Sequence, residues 1–129
     1  MIILDENIIA SQREQLKKWR IHFSRVGVHI GYRGIDDVDI MPLIQKMPKP
    51  TLFTRDSDFF KKYFCHKKYC IVFLNINQDE VAVYIRRFLR HPQFDTFAKR
   101  QGLVIRLVSS GFHFWKLDVT HEHTLDWKI

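Results

Sequence analysis

Thr51-Leu52-Phe53-Thr54 runs without a break into Arg55-Asp56-Ser57-Asp58-Phe59-Phe60. The first four residues are strand formers, Pro48 and Pro50 close what precedes them, and the apolar run ends on two carboxylates. The N-terminus repeats this pattern. Met1-Ile2-Ile3-Leu4 is a continuous apolar run ended by Asp5-Glu6-Asn7, which predicts a buried strand stopping at a polar edge.

Between these two strands, Ile8, Ile9, Gln12, Leu16 and Trp19 recur every three to four residues with charges between them, which predicts an amphipathic helix over 8–19. Alternating apolar and polar residues suit a strand over 20–26. After Gly27, Gly31 and Gly34, the acids Asp36 and Asp37 precede Val38, Ile40, Met41, Leu43 and Ile44, the pattern of a short helix whose N-terminus favours carboxylates. On the other side of the anchor stretch, the basic and aromatic residues 61–68 predict a helical turn and loop. Ile71-Val72-Phe73-Leu74 follows as a fourth buried strand. Residues 78–90 then read as a helix with Val81, Ala82, Ile85, Phe88 and Leu89 inward and Arg86, Arg87 and Arg90 outward. A short helix over 94–101 precedes a strand at 103–108, whose hairpin partner is 112–115. The last dozen residues carry no period and read as a strand or a tail. Strands alternating with helices predict an α/β domain with a mainly parallel central sheet and a C-terminal antiparallel extension.

Composition agrees with one domain over 1–129. With 46% hydrophobic residues, eleven Phe and only nine Gly plus Pro among 129 residues, the chain has the apolar surface that disordered and low-complexity chains lack. No run approaches the 18 apolar residues of a membrane helix, and Asp5 and Glu6 follow the apolar start at once, so no signal-peptide core is expected. The expectation is a cytoplasmic protein with no membrane partner, in which Cys65 and Cys70 are free thiols. Cys65, His66, Cys70, His121 and His123 lack the second close pair that a zinc site uses. The formal charge of +7 favours a polyanionic partner over a cationic one.

Asp5, Glu6, Asp37, Asp56 and Asp58 are distant in sequence, yet each is expected where a strand ends or the next helix begins. A parallel sheet gathers such positions at one edge. Two carboxylates about 4 Å apart repel by about 4 kcal/mol at an effective dielectric near 20, so a group of them needs protons or a cation. Oxygen ligands favour Mg²⁺ or Mn²⁺, and the matching chemistry is phosphodiester hydrolysis. The competing reading makes these acids helix caps and solvated loop residues.

Ile2-Ile3-Leu4-Asp5-Glu6-Asn7, Gly34-Ile35-Asp36-Asp37-Val38-Asp39-Ile40 and Thr51 to Phe60 together resemble the PIN-like domains of the DUF5615 and Mut7-C type, which are related to PIN-domain ribonucleases and to the toxins of toxin–antitoxin pairs. The likeness covers about the first sixty residues. It implies a three-layer Rossmann-like fold and Mg²⁺- or Mn²⁺-dependent RNA cleavage, with Asp5, Asp37, Asp56 and Asp58 as catalytic and metal-holding acids and Glu6 and Asp36 as adjacent options, Glu6 as a further metal ligand. The chain departs from full PIN ribonucleases in having no evident internal helix bearing their extra Glu. RNA is the partner implied, with an antitoxin chain for a toxin, and a homodimer is left open. Arg55, Lys61, Lys62, Arg86 and Arg90 are the candidates for RNA phosphates, weighed against a solvated surface. Two further readings are an inactive PIN-like module that binds RNA or protein, and a receiver-like domain whose phospho-acceptor is Asp56.

Overall fold

The computed structural model describes residues 1–128. Seven strands form one sheet: β1 (Ile2–Leu4), β2 (Ser24–Arg25), β3 (Thr51–Thr54), β4 (Cys70–Leu74), β5 (Val104–Val108), β6 (Gly111–Trp115) and β7 (His123–Asp126). Their order is β2-β1-β3-β4-β5-β6-β7, parallel through β5 and antiparallel for β6 and β7. The helices are α1 (Ala10–Lys18), α2 (Asp37–Ile44), α3 (Val81–Arg90) and α4 (Phe97–Arg100).

The strands are apolar on both faces because both faces are covered. Leu4, Phe53, Val72 and Ile105 join a core with Leu16 of α1 and with Ile85 and Phe88 of α3. Their neighbours Ile3, Leu52, Ile71 and Val104 join a second core with Ile40 and Ile44 of α2 and with Phe59. Consecutive residues of a strand point to opposite faces, so the two clusters are the two sides of one sheet, and the helices form the outer layers. The chain steps from β1 to β2 in one direction and returns past β1 to β3, so the crossovers through α1 and α2 run on opposite faces. A crevice therefore opens where β1 and β3 end.

Several boundaries differ from the sequence reading. The strand expected over 20–26 shrinks to Ser24–Arg25. The chain before it turns: Arg20 takes φ +59°, its N–H donates to the Lys17 carbonyl (2.9 Å), and the Ile21 N–H donates to the Leu16 carbonyl (3.0 Å). This paired closure of a helix C-terminus consumes the residues that alternation assigned to a strand. Residues 78–80 form a 3-10 turn rather than the start of α3, and the buried Gln12 caps α3 by accepting from the Ala82 N–H at 2.9 Å. The C-terminal segment resolves as a strand, because Trp127 packs on Phe112 (ring centroids 4.4 Å apart) and donates its indole N–H to the Val108 carbonyl at 2.9 Å. Ile129, the last residue of the expected single domain, lies outside the described residues. Cys65 and Cys70 are free thiols. Among the described residues no helix is long and apolar enough to cross a membrane.

Candidate metal centre

The crevice is built from the ends of β1 and β3. The two strands pair with Leu4 opposite Phe53, and the Asp5 N–H extends the ladder by donating to the Phe53 carbonyl at 2.9 Å. Thr54, the last residue of β3, is fully buried. Its hydroxyl donates to Asp5 Oδ2 at 2.7 Å and accepts from the Asp56 N–H at 3.0 Å, so one side chain ties the first acid to the backbone of the third segment. Asn7 adds a second tie, its Oδ1 accepting from the Arg55 N–H at 3.0 Å. Asp56 Oδ1 accepts from the Asp58 N–H at 2.9 Å, which caps the 3-10 turn Ser57–Phe59. Asp37 enters from the opposite side as the first residue of α2.

One carboxylate oxygen from each of Asp37, Asp56 and Asp58 lies within 4.8 Å of the others. Asp37 and Asp56 are half-buried and Asp58 is exposed. Burial pushes the Asp37 carboxyl up to about 6, helped by the charges of Asp56, Asp5, Asp58 and Asp36 in that order. The Asp5 carboxyl is also raised, because burial outweighs the hydrogen bonds from Thr54 and the Glu6 N–H. A divalent ion answers the same repulsion that a proton answers at Asp37. Three oxygen donors without nitrogen or sulfur fit a hard cation that keeps several waters, such as Mg²⁺ or Mn²⁺.

The expected acids fall into three groups. Asp37, Asp56 and Asp58 form the close set. Asp5 is adjacent and coupled to them by charge; its Oδ1 accepts from the Glu6 N–H (2.9 Å) and its Oδ2 from Thr54, and it lies outside the set whose oxygens share metal-ligand spacing. Glu6 turns elsewhere: both its oxygens accept from the Gly34 N–H, at 3.0 and 3.2 Å, and it fastens the loop that leads into α2. Gly27 in that loop has φ +83°, and a Cβ there would meet the Glu6 carboxyl at 3.0 Å, so the position is matched to glycine.

Among the basic candidates, Arg55 sits at the acid edge and donates to the Ile76 carbonyl at 2.9 Å. Arg86 and Arg90 do not reach the acids. The α3 helix runs from the acid edge toward the opposite one, and Arg86 stacks 4.5 Å over the ring of Trp19, the residue that follows α1. Lys61 and Lys62 are exposed and line a shallow cavity with Lys116 and Asp118. Those two residues follow β6, whose last residue pairs with the first residue of β5, again toward the far edge. Sequence reasoning passed over Thr54 and Asn7. The available signal was a hydroxyl closing a strand just before Arg-Asp, and an amide closing Asp-Glu-Asn. The Cys and His set forms no cluster: among the described residues the three acids are the group with metal-ligand spacing.

Comparison of the chain with protein-family models, with curated proteins and with solved structures gives no match.

Proposed function

We propose that the chain is a PIN-like domain of Rossmann-like build, of the DUF5615 and Mut7-C type, that cleaves RNA with Mg²⁺ or Mn²⁺. The observation that carries this reading is the approach of Asp37, Asp56 and Asp58, from two separate chain segments, to within 4.8 Å at the end of a parallel sheet. These three side chains would hold the ion. When bound, the ion would make a better nucleophile of water and offset charge on the phosphate oxygens. Asp5 acts through the Thr54 hydroxyl to fix the backbone from which Asp56 projects. The Arg55 guanidinium, anchored on Ile76 by one nitrogen, has further N–H groups for a phosphate oxygen at the same edge. As a toxin, such a protein would pair with a separate antitoxin chain in the cytoplasm.

The test is cleavage of a labelled RNA with Mn²⁺ by the parent and by Asp56→Asn. A fall of at least about 100-fold, with the circular dichroism spectrum and an Mn²⁺ titration recorded in parallel, is the expected result. Cleavage at the parental rate by the variant sinks the assignment. Binding of RNA without cleavage by the parent would point to the inactive module.

A receiver-like phospho-acceptor has one observation in its favour, the order β2-β1-β3-β4-β5 with Asp56 just past β3. Against it, β4 is followed by Asn75 where a hydroxyl would be needed, and only 3-10 turns join β3 to β4. Phosphate uptake from acetyl phosphate separates the two.

A further inference from the structure

The strand β2 has β1 on one side; on the other, residues 27–30 fold back so that the Arg25 carbonyl accepts from the His29 and Ile30 N–H groups at 2.9 and 3.2 Å. Along that side runs a cleft of about 550 Å³, walled by Lys17, Arg20, His22, Phe23, Arg25 and His29 among others. Among the described residues, no carboxylate lines it. Among the described residues, Arg20 and Arg25 make no ion pair, and the pairing of Lys17 with Glu14 at 3.4 Å is exposed. One or two basic side chains would serve to keep an edge strand from pairing with another chain. Five cationic or protonatable groups around one concavity exceed that need.

Arg20 supplies the second observation. It occupies the left-handed position after α1, φ +59°, where glycine is the unstrained choice. Lys49 and Asp118 adopt the same conformation, and Arg20 differs from them in lining this cleft without an ion pair among the described residues. His29 is also oriented: its Nδ1 accepts from the Arg25 N–H at 2.9 Å, which leaves Nε2 to donate outward. Arg25 lies in register with Leu4, the residue before Asp5. Arg20 and His22 precede β2, toward the edge opposite the acids, so the cleft runs alongside β2, and a chain leaving it past Arg25 has two strand spacings, about 10 Å, to cross to β3.

From this we infer that the β2-edge cleft binds the phosphodiester backbone of single-stranded RNA, with Lys17, Arg20 and Arg25 on phosphates and the half-buried Phe23 ring available to a base. This rests on the nuclease reading for its substrate class. Phosphate contacts supply affinity without sequence preference, and aromatic faces tolerate any base.

The experiment measures fluorescence anisotropy of a labelled single-stranded oligouridylate with the full chain in EDTA, so that binding is read while metal-dependent cleavage is off. Arg20→Gly and Arg25→Gln should each weaken binding by about 5–10-fold. The double variant should lower the slope of log affinity against log salt by about 1.4, since each single-strand phosphate contact contributes about 0.7. Arg20→Gly should at the same time raise the thermal midpoint, which a defect in folding would not do. Parental affinity and slope in the double variant overturn the inference, as does a parent that binds no oligouridylate. If the double variant binds like the parent while Asp56→Asn has lost cleavage, the cleft falls and the nuclease stands. If Asp56→Asn cleaves normally while the cleft variants lose binding, the nuclease assignment falls and the cleft stands.

Discussion

A single hydroxyl carries much of the candidate site. Thr54 joins Asp5 to the Asp56 backbone from a fully buried position, so Thr54→Val keeps the shape and removes both partners. Leaving a buried acceptor and donor unpaired should destabilise the fold by about 1–3 kcal/mol. Isothermal titration should also show Mn²⁺ affinity reduced by about 10–100-fold, the usual consequence of losing a group that orients a ligand. Unchanged affinity would remove Thr54 from the site. Asp37 makes a prediction about pH. Its carboxyl holds a proton more tightly in the folded chain, at about 6, than the ordinary value of 3.8, so folding is favoured by the protonated form and that favour fades as pH rises from 3.8 through 6. In EDTA, Asp37→Asn should therefore be more stable than the parent at pH 7.5 by about 0.5–1 kcal/mol, solvent screening included, and equal to it near pH 3.5. Urea titrations at the two pH values check this. If the acids hold a metal as proposed, saturating Mn²⁺ should reverse the order, because the ion would bind the ionised carboxylates of the parent.

At the scale of elements, the antiparallel extension depends on one close approach. Gly111 opens β6 opposite Asp126 of β7, and a Cβ there would fall well inside contact with the Leu125 carbonyl. Gly111→Ala must push β7 away, with a loss of about 2–3 kcal/mol and a red-shifted Trp127 emission as that ring leaves Phe112. A variant with parental stability and emission would mean that β7 has room to spare. The elements also divide by how they were legible. β1, β3, β4 and β5 were readable because a strand buried on both faces leaves a continuous apolar run. Residues 20–23 alternate like a strand, but Arg20 and Ile21 close α1 instead, since hydrogen bonding at a helix end overrides a four-residue pattern. The strand β7 had no period to read, because its identity depends on Phe112 and Val108, which lie more than ten residues earlier.

For the whole molecule, Phe88 is the junction of the layer outside the sheet with the sheet itself. Its ring meets Phe53 at 5.7 Å, Phe94 at 5.0 Å and Phe112 at 6.0 Å, in contact with both the parallel and the antiparallel halves. Phe88→Ala should lose about 3–5 kcal/mol in chemical denaturation, more than any change at the carboxylates. His91 lies buried in the same aromatic cluster, against Phe94, Phe112 and Trp127, and burial lowers its proton affinity. The unfolded chain then takes up that proton first, so this group withdraws stability as pH falls below about 6.5. Asp37 works in the opposite sense near the same pH, and the His91 effect should be measured in the Asp37→Asn background, where a fall in thermal midpoint from pH 7 to pH 5 is expected. The amino-acid sequence by itself determined the α/β class, the parallel strands of the middle and the arrival of acids at their ends, because hydrophobic runs and periods are local properties of the chain. Tertiary structure alone decided that Asp37, Asp56 and Asp58 meet while Glu6 is drawn to Gly34, and that Arg86 and Arg90 lie away from them. Those outcomes depend on strand order, register and turn geometry to within a few ångströms, and no stretch of sequence carries that information alone.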